Sequence, residues 1–60
     1  MPIVTIELIE GRTVEQKREM AKKITDSIVE VTKVPVEAVE IIFHDMKREN
    51  YSKAGHLAID

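Results

Sequence analysis

Pro2 is the residue of this sequence that could carry out the most unusual chemistry. Methionine is commonly removed when proline follows it, and removal of Met1 would convert the Pro2 nitrogen from an amide into a secondary amine. An α-amino group titrates near about 7.7 to 8.0 and a secondary amine higher, so its pKa must be lowered for it to act as a base at neutral pH. Apolar surroundings and nearby cations both lower it. Met-Pro is also a common way for a chain to begin, so this feature alone does not establish catalysis.

Arg12 is the cation best placed to bind an anionic substrate. It follows Gly11 and precedes the expected start of a helix, a position from which a guanidinium can face a cleft and bind a carboxylate through two hydrogen bonds. The alternative is a solvated loop cation, since surface arginines are common. Histidine is a frequent acid-base group, but His44 at a strand end and His56 in a C-terminal arm are more typical of surface or interface residues.

Two strands and one helix must position these residues. Residues 3–9 carry β-branched and apolar side chains on both alternating faces, which predicts a strand covered on both sides. Thr13 and Gln16 fit a capping box, so a helix should start near Val14 and run to about residue 32. Residues 39–44 alternate again and predict a second strand.

The helix is predicted to be amphipathic. Its charged side mixes both signs, which is typical of a solvated, salt-bridged surface. Residues 45–50 are polar and predict a loop, and residues 51–59, with Ala54-Gly55 as a turn, predict a short hairpin or arm. Phe43 is in phase with the second strand and should lie in the core. The apolar positions of the helix recur at Met20, Ala21, Ile24, Ile28 and Val31.

Composition limits the class of protein. The 60 residues, 43% hydrophobic and 33% charged, predict a single globular domain over 1–60. A net charge of −2 argues against nucleic-acid binding, and no apolar run is long enough to cross a membrane or to form a signal core, so we expect a cytoplasmic protein. Without cysteine, metal-site histidine spacing or a phosphate-binding glycine loop, we expect no disulfide, no metal and no cofactor.

The size of the chain favours association. A domain of this length buries only about 60% of the surface that its unfolded chain exposes. A strand-helix-strand unit forms a parallel pair with a right-handed crossover, and one helix covers one face of that pair. We therefore expect the uncovered apolar face to meet another subunit.

The order and spacing of these motifs resemble the 4-oxalocrotonate tautomerase family over the full chain. The matching pieces are the Met-Pro start, Glu10-Gly11-Arg12 after the first strand, the Thr13-x-Glu15-Gln16-Lys17 helix start, and Pro35 before an Ile-Ile strand. The resemblance implies an α/β fold of β-α-β subunits with a short C-terminal hairpin. These subunits would pair into a four-stranded sheet with two helices, and three pairs would form a homohexamer whose active sites combine neighbouring chains.

The resemblance also implies a cofactor-independent tautomerase. Pro2 matches the general base that moves a proton between the enol oxygen and a carbon of 2-hydroxydienoates, such as 2-hydroxymuconate, or of enolpyruvate-type acids. Arg12 aligns with an arginine that binds the far carboxylate, Tyr51 with an aromatic residue that keeps the pocket dry, and Ile9 with a wall position. The implied partners are a small-molecule carboxylate and further copies of the chain.

Glu40 departs from the family pattern, because the best-known members carry there an arginine that binds the near carboxylate. A carboxylate cannot take that role. Either Glu40 points away from the site, or another cation such as Arg48 or Lys53 substitutes, or the substrate is not the usual dicarboxylate. A retained Met1 would leave Pro2 without its amine. Two other readings therefore stand beside the tautomerase: a non-catalytic oligomeric binding module of the same fold, and a related dehalogenase or decarboxylase.

Overall fold

The structure, a computed structural model, describes residues 1–60. Strands β1 (Ile3–Ile9) and β2 (Glu40–Met46) are parallel, with Ile3 opposite Glu40 and Ile9 opposite Met46, and the two strands of the C-terminal hairpin are antiparallel. The predicted α/β fold, a β-α-β unit followed by a hairpin, is thus confirmed. No helix combines the length and apolar character needed to cross a membrane. The elements are β1 (Ile3–Ile9), α1 (Val14–Thr32), a 3-10 helix (Val36–Ala38), β2 (Glu40–Met46), a second 3-10 helix (Arg48–Asn50), β3 (Ser52–Lys53) and β4 (His56–Leu57).

The predicted capping box starts α1. The Thr13 hydroxyl accepts a hydrogen bond from the Gln16 backbone N–H at 3.0 Å, and the Gln16 Oε1 accepts one from the Thr13 backbone N–H at 2.9 Å. Two amides that the first helical turn cannot satisfy internally are paired in this way. The helix ends at Thr32 and is capped by Lys33, whose backbone turns into the left-handed region at φ 65 and donates its N–H to the Val29 carbonyl at 2.9 Å.

Helix α1 lies over one face of the β1–β2 pair. The half-buried side of the helix includes Met20, Ala21, Ile24 and Ile28, as predicted. Lys17 Nζ lies 2.6 Å from Asp45 Oδ2 and connects the helix to the end of β2. The half-buried strand residues on this face are Val4, Ile6, Leu8, Ile41 and Phe43.

The predicted limits of α1 are confirmed, but one prediction about packing and one about a strand limit are wrong. Val31 is 78% exposed, because α1, about 28 Å long, outruns strands of about 23 Å and its last turn passes beyond the sheet. Strand β2 begins at Glu40 and continues to Met46, so Asp45 belongs to the strand and not to the predicted loop. A 3-10 helix occupies Arg48–Asn50 within the remainder of that loop.

No residue of this chain is buried. Its accessible surface is 4808 Å², whereas a compact folded chain of this mass exposes about 4,000 Å². Its radius of gyration is 14.5 Å, against about 10 Å for a compact domain of this length. The expected cover over both faces of β1 is therefore absent within one chain. We call the uncovered side of the sheet the open face; it consists of Ile3, Thr5, Glu7, Ile9, Glu40, Ile42, His44 and Met46.

Candidate active site

Pro2 stands at the head of β1 and is held by its carbonyl group. The Pro2 oxygen accepts a hydrogen bond from the Glu40 N–H at 3.0 Å, which extends the ladder one residue beyond the strand. Proline has no N–H to donate, so the ladder engages this residue through its oxygen alone. Met1 is 83% exposed, and its loss removes little packing. With Met1 in place, the Pro2 nitrogen is an amide.

Arg12 lies in the turn between β1 and α1. Gly11 adopts φ 125, which side-chain-bearing residues rarely adopt, and no atom lies within 4 Å of where a Cβ would be. Backbone conformation, and not crowding, therefore accounts for glycine at this position. The turn leaves the Arg12 side chain exposed immediately before the Thr13 cap.

Ile9 lies at the carboxyl end of β1, and Tyr51 directly follows the 3-10 helix that comes after β2. Ile9 is the last residue of β1 and is half-buried, and the next residue, Glu10, donates its N–H to the Met46 carbonyl at 2.9 Å. Tyr51 begins the hairpin segment, and its carbonyl accepts a hydrogen bond from the Ala58 N–H at 2.9 Å. The Tyr51 side chain is 42% exposed, so this ring is available to a ligand or to another chain.

The four predicted site residues lie at opposite ends of the sheet. Pro2 adjoins the first residues of β1 and β2, whereas Ile9, Arg12 and Tyr51 are at or beyond the last ones. The seven residues of β1 separate these ends by about 23 Å at about 3.3 Å per residue. One chain therefore brings Ile9, Arg12 and Tyr51 to the same end but does not bring Pro2 to them.

A cleft of about 280 Å³ opens at the carboxyl end of the strands. Four of its five lining residues are charged, so it differs from the apolar pocket that would shelter an amine. Sequence reasoning gave these residues no joint role, although Lys47 and Arg48 directly follow β2, at the edge where open α/β sheets commonly bind ligands. The cleft is lined by Glu10, Lys47, Arg48, Glu49 and Ile59.

Cations on the helix are paired, and cations at the strand ends are not. The hydrogen bond from Lys23, and then its charge, lower the pKa of Glu19, while the same contact raises the pKa of Lys23. Arg12, Lys47 and Arg48 form no ion pair, so an anion can bind them without displacing a carboxylate of the chain. The salt-bridged helix surface is confirmed by the pairs Lys17–Asp45, Arg18–Glu15, Lys22–Asp26 and Lys23–Glu19.

The remaining polar candidates lie away from Arg12. Glu40 is at the same end of the sheet as Pro2, and its side chain is exposed on the open face. His44 Nδ1 and Glu7 Oε1 are 2.7 Å apart on that face, a contact that the sequence alone did not suggest. His56 lies in β4, and its side chain makes no hydrogen bond. No group of three His, Cys, Asp or Glu side chains is placed to hold a metal ion.

Comparison with known proteins supports the resemblance seen in the sequence. Residues 2–59 match the family model described as "Tautomerase enzyme". A probable tautomerase of Streptococcus pneumoniae is 44% identical over 57 residues, which are 95% of each chain. The 2-hydroxymuconate tautomerase of Bacillus subtilis is 38% identical over 55 residues, covering 92% of this chain and 89% of that protein.

Solved structures agree with the fold. A 4-oxalocrotonate tautomerase isozyme from Methylibium petroleiphilum has a TM-score of 0.90 and 40% identity, covering 97% of this chain and 91% of its own. A heterohexamer 4-oxalocrotonate tautomerase from Chloroflexus aurantiacus has a TM-score of 0.91 and 25% identity, covering 100% of this chain and 97% of its own. The similarity therefore extends through the strands, the helix and the hairpin.

Proposed function

This chain belongs to the tautomerase family and is an isomerase of the 4-oxalocrotonate tautomerase type; we propose that it catalyses enol-keto proton transfer on 2-hydroxydienoate or enolpyruvate-type acids, with the Pro2 amine as general base. The placement of Pro2 carries the proposal. Its carbonyl is fixed at the head of β1 while Met1 is exposed, so removal of Met1 leaves a secondary amine on an anchored residue. The relative that is named for 2-hydroxymuconate supports the substrate class.

The proposed reaction moves one proton within the substrate. The neutral Pro2 amine takes the proton of the 2-hydroxyl group, the C–O bond becomes a carbonyl, and the electrons of the dienol shift towards a distant carbon. The ammonium then gives its proton to that carbon, which restores the neutral amine. One O–H bond breaks and one C–H bond forms, so no redox partner is required. A positioned general base of this kind contributes about 10²- to 10⁴-fold to the rate.

Arg12 holds a substrate carboxylate in this scheme. Its guanidinium is exposed and free of ion pairs, and it can bind a carboxylate through two parallel hydrogen bonds. Its positive charge also stabilises the dienolate as negative charge develops. Ile9 and Tyr51, at the same end of the sheet, supply apolar surface that excludes water from the amine.

Two copies of the chain complete the proposed site. An antiparallel arrangement of two copies sets the amino end of one β1 beside the carboxyl end of the other, so Pro2 of one copy meets Arg12 of its neighbour. Symmetry then creates two equivalent sites per pair. Such a pair would have a four-stranded sheet with two helices, and three pairs would form a hexamer. The heterohexamer from Chloroflexus aurantiacus supports an assembly of this size.

Intact mass and turnover of two proline variants test the proposal. The mature chain should lack Met1 and should convert 2-hydroxymuconate. Pro2→Ala, which still permits methionine removal, should lower kcat by at least about 10²-fold. Pro35→Ala is the matched control, because it removes the other proline of the chain and should keep near-normal turnover. Full activity of Pro2→Ala contradicts the assigned base, and an inactive mature chain that retains Met1 would indicate a non-catalytic assembly module.

A further inference from the structure

The open face carries an ionisable pair near its middle. Glu7 and His44 are direct partners in the parallel register, and Glu7 Oε1 lies 2.7 Å from His44 Nδ1. The Glu7 and His44 side chains are 58% and 56% exposed in the single chain. The flanking register pairs carry no charge: they are Thr5–Ile42 on one side and Ile9–Met46 on the other. Any partner that packs on this face therefore encloses the Glu7–His44 pair among largely uncharged neighbours.

The area of the chain argues that a second copy covers the open face. The accessible surface of 4808 Å² exceeds by about 800 Å² that of a compact chain of this mass. About 800 Å² per partner is also what a standard protein interface buries. Ile3 and Ile42, which are 58% and 43% exposed on this face, would supply apolar contacts to such a partner.

We propose that the Glu7–His44 pair makes the association of chains over the open face depend on proton uptake. The inference rests on the assembly put forward with the proposed function, but not on turnover. The charged groups on the open face are Glu7, Glu40 and His44, and the strands place no lysine or arginine there. Helix α1 packs on the opposite face, where Lys17 and Asp45 already neutralise each other.

The charge of His44 decides what the interface must enclose. With His44 protonated, the pair is neutral and hydrogen-bonded. With His44 neutral, the Glu7 carboxylate carries an uncompensated negative charge, and the nearby Glu40 adds to it. Enclosing an unpaired carboxylate is costly, whereas a paired one is tolerated. Association therefore takes up protons and weakens as pH rises through the range in which histidine loses its charge.

Sedimentation velocity on three variants and the wild type tests this inference. Between about pH 5 and about pH 8 at constant ionic strength, the wild-type dissociation constant should rise, by up to about tenfold per pH unit for each linked proton. His44→Gln should flatten that dependence, whereas His56→Gln, which removes the only other histidine, should keep it. Glu7→Gln should reverse it, because the protonated His44 then becomes the unpaired charge.

Several outcomes would overturn the inference. These are a wild-type dissociation constant that does not change with pH, loss of the dependence in His56→Gln, or a monomer at every pH. If His44→Gln does not fold, the wild-type titration and the sign of the Glu7→Gln effect still decide. Pro2→Ala should show the wild-type pH dependence of mass, since the readout does not involve turnover. A chain that is inactive on every dienol but assembles in this way would refute the proposed function alone.

Discussion

Two impaired variants should restore activity to each other when mixed. Pro2→Ala lacks the proposed base but keeps Arg12, and Arg12→Ala lacks the carboxylate clamp but keeps Pro2. Because the two residues are about 23 Å apart along β1, the proposed site would take one from each of two copies. Random pairing of equal amounts in a two-fold symmetric pair leaves both native residues in about one quarter of the sites. We therefore expect about a quarter of the wild-type rate on 2-hydroxymuconate at low substrate concentration, after the chains are unfolded together and refolded.

The matched control is a chain that carries both substitutions. Mixed with Arg12→Ala, this double variant cannot form a site with both Pro2 and Arg12, so the rate should stay at the level of its Arg12→Ala component. Native mass spectrometry with one isotope-labelled chain verifies that mixed assemblies form. If they form and the rate equals only the sum of the separate variants, Pro2 and Arg12 do not meet across copies, and the antiparallel arrangement is wrong.

Two further substitutions test binding and stability. Arg12→Ala should lower kcat/KM for a dicarboxylate dienol by about 10- to 100-fold, chiefly through KM, as expected for loss of a charged hydrogen bond. Arg18→Ala, which removes an arginine of the helix surface, is the control. An equal effect from this control would contradict the role of Arg12 in binding the carboxylate. Thr13→Ala should lower the free energy of unfolding by about 1 kcal/mol, because it removes the helix cap. Denaturation at one fixed chain concentration measures this change. Ser27→Ala, at an exposed site inside α1, is the control, and a loss of stability of the same size there would show that removal of the cap does not cause the effect of Thr13→Ala.

The first strand and the helix are predictable because their signals are local. The limits of β1 match the prediction, since its β-branched run stops before Gly11, whose φ of 125 turns the chain. The start of α1 follows from Thr13 and Gln16, three residues apart, whose side chains and amides satisfy each other. Neither boundary depends on a residue far away in the sequence.

Features that depend on residues far apart in the chain could not be predicted from the sequence. Asp45 looks like a loop residue, but its carboxylate binds Lys17, 28 positions away, and so takes a place on the helix-covered face of β2. Val31 keeps the helical phase of the core residues, yet the sheet ends before it. The Glu7–His44 contact requires the parallel register, which no local pattern fixes.

The candidate site divides in the same way. The sequence predicts Pro2 as a base and Arg12 as an anion clamp through its resemblance to the 4-oxalocrotonate tautomerase family. Their separation becomes evident only once β1 is seen to run unbroken between them. The cleft beside Lys47 and Arg48 was missed because its shape depends on how the 3-10 helix and the hairpin fold back towards Glu10.

A single chain has no buried residue, so the proposed assembly would tie the lifetime of the protein to its abundance. Newly made single copies would display Ile3 and Ile42 to proteases and chaperones until they bind other copies. Because partner binding stabilises by mass action, halving synthesis more than halves the surviving protein once the chains become scarce. The amount of surviving protein would therefore fall steeply below a threshold of promoter strength or gene dosage and would not change in simple proportion to them.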